Sequence, residues 1–400
     1  MSMRTSTANS YATSLESLVN RQASLSQTQE QMTSGKRVNR ASDDPAAAAR
    51  AERALATERR SVSSQRAVDA SNNAMALTDS ALGSAGELLQ AAREAIVSAG
   101  NATYTDAERS VVAARIADLR SELLAVANRS DGAGTYLFGG QGANQPPFID
   151  VPGGVQFRGT TGATQAASGE ALPLTMDGES TWMQARTGNG VFETRAIIST
   201  GSAVIGAGSV TDPAALTGST YRINFSVVAG ATTYSVLKDG LPTAQANVVY
   251  ASGQSIQVDG MAATITGAPA NGDVFQLAPS TSSLSVFDVL DQAVAGLKTP
   301  NRSPTQIAQT NAVNLSNLDS VLGQSLSGRS QVGATMNRID RVTERLSSLK
   351  LSSQTERSNA EDLDMTQAIS EFTNRQTGYD AALKAYSMVQ RLSLFNYVNG

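Results

Sequence analysis

Both ends of the chain carry apolar residues at alternating intervals of four and three, which is the spacing of a coiled-coil seam. The first seam comprises Tyr11, Leu15, Leu18, Leu25 and Met32, and the second comprises Met365, Ile369, Phe372, Tyr379, Leu383 and Tyr386. Glutamines interrupt both seams, at Gln22 and Gln29 and at Gln376. The pattern predicts terminal coiled-coil segments at 1–40 and 361–400 that pair as antiparallel or staggered helices. An amphipathic helix of an ordinary globular core gives the same spacing, so that alternative stays open at this point.

The terminal seams are short of apolar side chains for their length. The entropy lost on ordering a helix grows with every residue, whereas only one or two positions per turn of these seams bury apolar surface. We therefore expect the two ends to be disordered in an isolated monomer and to fold when several chains pack together. The eleven seam residues are accordingly predicted to form an assembly interface.

The segments 41–140 and 283–360 are predicted to form a helical rod domain. Asp44 and Pro45 mark a helix start, and Thr105 with Glu108 forms a capping box. Further helices are predicted over 284–298, over 303–327, and from about 329 to 392.

Residues 141–282 are predicted to form a β-rich outer domain. Tyr221, Ile223, Phe225 and Val227 alternate with polar residues, as in a half-buried strand. Other short strands are predicted at 233–237, 247–250, 255–258, 262–266 and 273–277, and more weakly at 153–158, 171–176 and 190–198. Asp-Gly and Asn-Gly pairs separate several of them. The fold class is therefore mostly α, an elongated rod of long helices with an inserted all-β domain resembling a sandwich or barrel.

Composition removes most enzyme chemistry. The chain has 400 residues with no His and no Cys, which excludes zinc sites built from these residues, thiol nucleophiles and His-based triads. The formal net charge is −4, so no basic surplus points to nucleic acid or to a membrane surface. We expect no enzyme activity, no cofactor, no metal and no small-molecule substrate. Residues 1–30 lack the apolar core of a cleaved signal peptide.

A cluster of charges follows the first helix. Arg37 and Arg40 lie close in sequence to Asp43 and Asp44. Two adjacent carboxylates are compatible with an acid/base site, but helix capping and a local or inter-subunit charge network is the favoured interpretation.

Four sequence segments resemble the flagellin superfamily and its hook-associated branch. They are SGKRVNRASDDPAAA at 34–48, residues 106–140 ending in GTYLFGG, GRSQVGATMNRI at 328–339, and residues 371–400 ending in SLFNYVNG. The resemblance covers roughly 1–140 and 284–400, and it is weaker over the β insert.

The resemblance implies a structural subunit of the bacterial flagellum at the hook–filament junction, joining hook-associated protein 1 to the flagellin filament. It implies partners of four kinds: further copies in a ring or tube, hook-associated protein 1, flagellin, and an export chaperone. It also implies an extracellular location reached by flagellar type III export. Two alternatives remain at this stage, a filament flagellin and a sugar-binding module in the β insert.

Overall fold

A computed structural model describes residues 7–398 except 102, 143, 167 and 168, with side chains described from 11 to 388. The predicted terminal segments extend to residues 1–6 and 399–400, which lie outside the described residues. The helices are α1 (Thr7–Ser34), α2 (Pro45–Ala99), α3 (Asp106–Ala127), α4 (Gly178–Trp182), α5 (Val286–Lys298), α6 (Pro304–Glu361) and α7 (Met365–Val398). The strands are β1 (Phe148–Val151), β2 (Gly154–Phe157), β3 (Ala185–Arg186), β4 (Phe192–Ile198), β5 (Val204–Ile205), β6 (Ser209–Val210), β7 (Tyr221–Val228), β8 (Ala231–Lys238), β9 (Leu241–Pro242), β10 (Val248–Val249), β11 (Ser255–Val258), β12 (Met261–Thr266), β13 (Val274–Pro279) and β14 (Ser282–Leu284).

The chain forms two compact units. The terminal unit consists of the segments up to Arg66 and from Val342 onward, and the central unit is Ala67–Arg341. Long helices precede and follow a β-rich insert along the chain, so the predicted fold class is confirmed. The finer division into terminal segments, rod and outer domain stays a prediction.

Helix α2 buries one stripe of apolar side chains in the central unit. Met75, Leu82, Leu89 and Ile96 on α2 are each no more than 1% exposed. Their seven-residue spacing returns to the same helix face, which explains why all four enter the core together. The capping box on α3 is present, because Thr105 accepts from the Glu108 amide and Glu108 accepts from the Thr105 amide.

The β insert contains two larger antiparallel sheets around one core. One has the order β10-β8-β7-β13-β4 with β9 beside β8, and the other has the order β11-β12-β5 with β6 beside β12. Side chains from both sheets, including Ile223, Phe275 and Ile265, form a single buried cluster. The β11–β12 hairpin turns at Asp259 and Gly260, which have φ of 38° and 80°. A turn with positive φ at both central residues favours Asp-Gly, as the sequence predicts.

Two local predictions are wrong, and some short strands were missed. The helix predicted to end at 327 continues through Gly328 to Glu361, and the break lies at 362–364 instead. Asp364 causes the restart, because its Oδ1 accepts from the amides of Thr366 and Gln367, at 2.9 and 3.2 Å, as a helix N-cap. Residues 171–176 form no strand, apart from one isolated bridge at Pro173. The short strands β1, β5 and β6 were not predicted, because two to four residues are too few to show a period.

Candidate assembly interface

Helices α1 and α7 pack side by side in the terminal unit and run antiparallel. At one end the rings of Tyr11 and Tyr386 lie 5.4 Å apart. Toward the other end, the Leu363 amide donates to the Gly35 carbonyl at 3.0 Å. The low-numbered end of α1 therefore lies against the high-numbered end of α7, as the predicted pairing of the two ends requires.

The eleven predicted seam residues divide into two groups, and none is buried within one chain. The half-buried group comprises Leu18, Leu25, Met32, Phe372, Tyr379 and Tyr386. The exposed group comprises Tyr11, Leu15, Met365, Ile369 and Leu383, with 44–51% of each residue exposed. Pairing of α1 with α7 therefore covers only part of the predicted seam.

Sequence analysis missed the residues that lie most deeply between the two helices. Thr28 is 2% exposed and Ala368 is 4% exposed. Thr28 follows Leu25 by three positions and precedes Met32 by four, so it shares their face of α1. The apolar pattern alone pointed instead to Gln29, which is exposed. The spacing was available in the sequence, but a rule that admits only large apolar residues passes over threonine and alanine.

A polar contact crosses the middle of the pair. The Arg375 guanidinium donates to the Ser24 carbonyl at 3.1 Å and to the Thr28 hydroxyl at 2.9 Å. The same side chain lies 3.5 Å from a Glu371 carboxylate oxygen. The Thr28 hydroxyl itself donates to the Ser24 carbonyl at 2.9 Å, so this buried group is satisfied both as a donor and as an acceptor.

One side of the pair is apolar and open. We call Leu15, Val19, Met365, Ile369 and Leu383 the apolar flank; each of these residues is 44–57% exposed. Leu15 and Val19 are neighbours on α1 at a spacing of four, and Ile369 and Leu383 recur on α7 at a spacing of fourteen, so each helix contributes a continuous face. A single chain leaves this apolar surface in contact with water, which is the property expected of an interaction site.

The charge cluster after α1 joins chain segments within the terminal unit. Arg37 donates from its backbone amide to the Glu361 carbonyl at 2.7 Å and from its side chain to the Ala360 carbonyl at 2.8 Å. It also pairs with Asp44 at 3.2 Å. A cation at the last carbonyls of α6 is favourable because that helix end carries partial negative charge. Arg37 therefore connects the end of α6 with the start of α2.

The two aspartates of this cluster act as caps. Asp43 Oδ2 accepts from the amides of Asn39 and Arg40, at 3.1 and 2.9 Å. Asp44 accepts from the Ala47 amide, and this bond, followed by the bond from Arg37, lowers the pKa of Asp44 from its ordinary value.

Arg40 completes the predicted set, and its side chain pairs with Glu30 at 3.3 Å on an exposed surface. Its backbone amide is one of the two donors to Asp43. In this cluster both aspartates therefore accept backbone hydrogen bonds as local caps.

A second charged cluster belongs to the central unit. Arg120, of which 9% is exposed, pairs with Asp150 and with Asp291, the latter at 2.8 Å. The hydrogen bonds that Arg120 donates to these carboxylates, above all to Asp150, raise the pKa of Arg120. Burial, and then the charge of Asp291, raise the pKa of Asp288 beside them. The cluster ties α3, β1 and α5 together.

The described part of the chain also bears on metal binding, membrane insertion and sugar binding. No group of three or more His, Cys, Asp or Glu side chains there is arranged to hold a metal ion. No helix there is both long and apolar enough to cross a membrane. Trp182, the aromatic residue of greatest interest for a sugar platform, is 4% exposed and packs edge-on against Phe138 at 5.1 Å, so its ring is not available for stacking.

Two family models match the helical regions of the chain. The model described as the bacterial flagellin N-terminal helical region matches residues 5–143, and the model described as the C-terminal helical region matches residues 315–398. Together they cover more than half of the chain.

Two relatives that are similar over nearly the full length of this chain have the same name. The flagellar hook-associated protein 3 of Escherichia coli is 25% identical over 397 residues, covering 98% of this chain and 99% of the relative. The protein of the same name from Salmonella typhimurium is 25% identical over 401 residues, with the same shares covered.

Solved structures agree with these relatives. The flagellar junction protein FlgL from Legionella pneumophila has a TM-score of 0.69 at 25% identity, covering 78% of this chain and 100% of that one. FlgL from Xanthomonas campestris has a TM-score of 0.67 at 28% identity, covering 77% and 99%. The paired terminal helices, the inserted β region and these matches lead to one assignment: the chain belongs to the bacterial flagellin family, as a structural protein of the flagellum that resembles flagellar hook-associated protein 3.

Proposed function

We propose that this protein is the subunit that joins hook-associated protein 1 to the flagellin filament. Support comes from the name of the full-length relatives and from the likeness to the Legionella protein, which is called a flagellar junction protein. A junction subunit has to contact unlike proteins above and below and like copies at its sides. The filament flagellin alternative shares the helical ends, and only a test in cells separates the two.

The apolar flank is the observation that carries the assembly mechanism. It leaves Leu15, Ile369 and Leu383 about half exposed on two helices that, among the described residues, pack mainly against each other. Packing of further copies against this flank removes that surface from water, so folding of the ends is coupled to assembly. All eleven seam residues are proposed to contribute, the half-buried group within each chain and the exposed group between chains.

The three regions of the chain have different roles in the assembled flagellum. The terminal segments 1–40 and 361–400 pack between copies, the segments 41–140 and 283–360 make lateral contacts, and the β-rich residues 141–282 face outward. The chain leaves the cell through the flagellar export channel with the help of a cytosolic chaperone. The absence of cysteine suits this route, because an unfolded chain without thiols forms no disulfide cross-links.

Complementation tests the proposed function directly. A strain that lacks its junction protein sheds its filaments, and expression of this chain is expected to restore attached filaments, counted by electron microscopy. A flagellin-deletion strain is expected to gain no filament from the same gene. The reverse pattern would identify the chain as a flagellin.

The assembly mechanism is tested by Leu383→Asp. Leu383 is 44% exposed, so a charge there is tolerated in the dilute chain but opposes packing of an apolar neighbour. We expect loss of filament attachment with a shift in melting temperature below about 2 °C. Asn374→Asp adds the same charge at an exposed polar position of α7 and is expected to assemble normally. A large loss of melting temperature in Leu383→Asp would instead place this residue in the core of one chain.

A further inference from the structure

A polar groove lies beside the α1–α7 contact. It has a volume of about 620 Å³, and Glu16, Asn20, Arg21, Ser24 and Arg375 are among its lining residues. Unlike the apolar flank, it offers two guanidinium groups against one carboxylate. A surface of this kind fits a partner with a negative charge.

The two arginines of the groove differ in what they already bind. Arg375 is engaged by Ser24, Thr28 and Glu371. Arg21 makes no hydrogen bond or ion pair with any residue that the structure describes. Its Nη1 lies 3.0 Å from the position that a Cβ at Gly378 would occupy, so the missing side chain of that glycine leaves the guanidinium its space. Arg21 is therefore an exposed cation beside Gly378 whose guanidinium can still accept a charge partner.

A matching acid is present on α7. Asp380 is exposed, and within the described residues it has no hydrogen bond or ion pair. It lies four positions after Gln376 and three before Leu383, so it shares the face of α7 that carries the apolar flank. The other acids of α1 and α7 outside the groove are engaged, since Glu30 pairs with Arg40 and Glu371 with Arg375.

Arg21 and Asp380 stand at nearly the same height on the pair. Arg21 lies beside Gly378, and two residues of helix advance about 3 Å, which puts Asp380 close to the same level. Within one chain the two are kept apart, because Gly378 turns toward α1 whereas Asp380, about 200° further around the helix, turns away from it. Copies packed side by side with little axial offset therefore bring the groove of one against the Asp380 face of the next.

We infer that Asp380 of one copy forms an ion pair with Arg21 of the adjacent copy in the assembled protein. This inference rests on the proposed function. The partner of the terminal unit's surface is a second copy of this chain. It joins two different surfaces, so it is heterologous and propagates around a ring or tube instead of closing as a dimer. Packing of the neighbouring apolar flank excludes water from the pair and strengthens its attraction.

Charge reversal in a strain that lacks its junction protein tests the pair. Arg21→Glu and Asp380→Lys, each alone, place like charges together and are expected to lower the number of attached filaments about tenfold or more. The double variant is expected to recover. Co-expression of the two single variants is also expected to recover in part, because each chain then supplies the charge that the other lacks. Arg222→Glu, a charge reversal at an exposed position of β7 in the outward-facing insert, is the matched control and should leave attachment unchanged.

A cross-link measurement gives a second readout that does not depend on filament attachment. The chain has no cysteine, so Arg21→Cys and Asp380→Cys chains can be mixed after purification, concentrated and oxidised. A disulfide-linked dimer that contains one chain of each kind supports the contact. Its absence overturns the inference, as does normal filament attachment by both reversal variants. If these variants attach normally while Leu383→Asp does not, the ion pair is wrong and the proposed function still stands.

Discussion

Stripes with heptad spacing are covered to different extents in two regions of this molecule. On α2, Met75, Leu82, Leu89 and Ile96 are no more than 1% exposed. On the terminal helices, Leu15 and Leu383 are 48% and 44% exposed. Spacing therefore identifies the face of a helix that seeks apolar contact, but it does not say whether the same chain supplies that contact.

The difference follows from what surrounds each stripe. On α2 the stripe is flanked by alanines at 81, 85 and 92, all 0% exposed, which shows that neighbouring elements cover the whole face. Within the described residues α1 and α7 pack mainly against each other, and the contact between them includes Thr28 and Arg375. An apolar stripe that its own chain covers stabilises the monomer. A stripe that stays exposed stabilises the assembled protein, because its surface is buried only when neighbouring copies cover it.

Hydrogen exchange should show the largest contrast. In the dilute full-length chain we expect amides of α2 between Met75 and Ile96 to exchange at least about a thousandfold more slowly than amides between Leu15 and Leu25 of α1, because only the first set requires global unfolding. Mass spectrometry of the two peptides measures the ratio. Assembly should then slow exchange in α1 without changing α2. Equal protection of both stripes in the monomer would remove the distinction.

Truncation of Leu89 should produce the next largest effect. Leu89→Ala leaves a cavity in a closed core, and we expect it to lower the free energy of unfolding by about 2–5 kcal/mol. Urea denaturation of the full-length chain measures the change.

The matched control for Leu89→Ala is Leu77→Ala on the same helix. Leu77 is 39% exposed, and its truncation should cost less than about 1 kcal/mol. A similar cost at both positions would mean that exposure in a single chain does not decide which leucines stabilise it.

The β insert adds an electrostatic contrast, because it buries a carboxylate. Asp273 is 0% exposed and accepts from the amides of Thr200, Gly201 and Ala270. Burial alone would raise its pKa, but these hydrogen bonds outweigh burial and lower it. A lowered folded-state pKa contributes stability that is full above the unfolded value of about 4 and is lost as the pH falls through the folded value.

Asp273→Asn should therefore weaken the insert and flatten its response to acid. We expect a loss of about 1–3 kcal/mol at pH 7, because the amide group turns one acceptor into a donor among amide donors. The difference between variant and parent should shrink below pH 4, measured by thermal unfolding at a series of pH values. Asp380→Asn, at an exposed acid of α7, should change neither quantity.

Much of this organisation was predictable from local sequence. The capping box at Thr105, the strand at Tyr221–Val228 and the Asp259-Gly260 turn each depend on side chains within a few residues. The helical ends were predictable because heptad spacing extends over many turns.

The rest depended on partners that are distant in sequence. Helix α6 continues through Gly328, although glycine has a low helix propensity. A Cβ at this position would be in ordinary contact with Leu82 and Thr181, so tertiary neighbours pack against the helix where local propensity disfavours it. The division of the seam into half-buried and exposed groups depended on which face of α1 meets α7. A pattern within one helix contains no information about where its partner stands.

The smallest expected effect lies where α1 ends, at Arg37. This side chain is about half exposed, so its ion pair with Asp44 is screened by water. We expect Arg37→Met to lower the melting temperature of the full-length chain by less than about 2 °C, with the difference shrinking further at high salt. Arg40→Met, which removes the more exposed pair with Glu30, should have no measurable effect. If Arg37→Met instead cost as much as Leu89→Ala, charge contacts at the helix junction, and not coverage of the apolar stripes, would set the stability of the terminal unit.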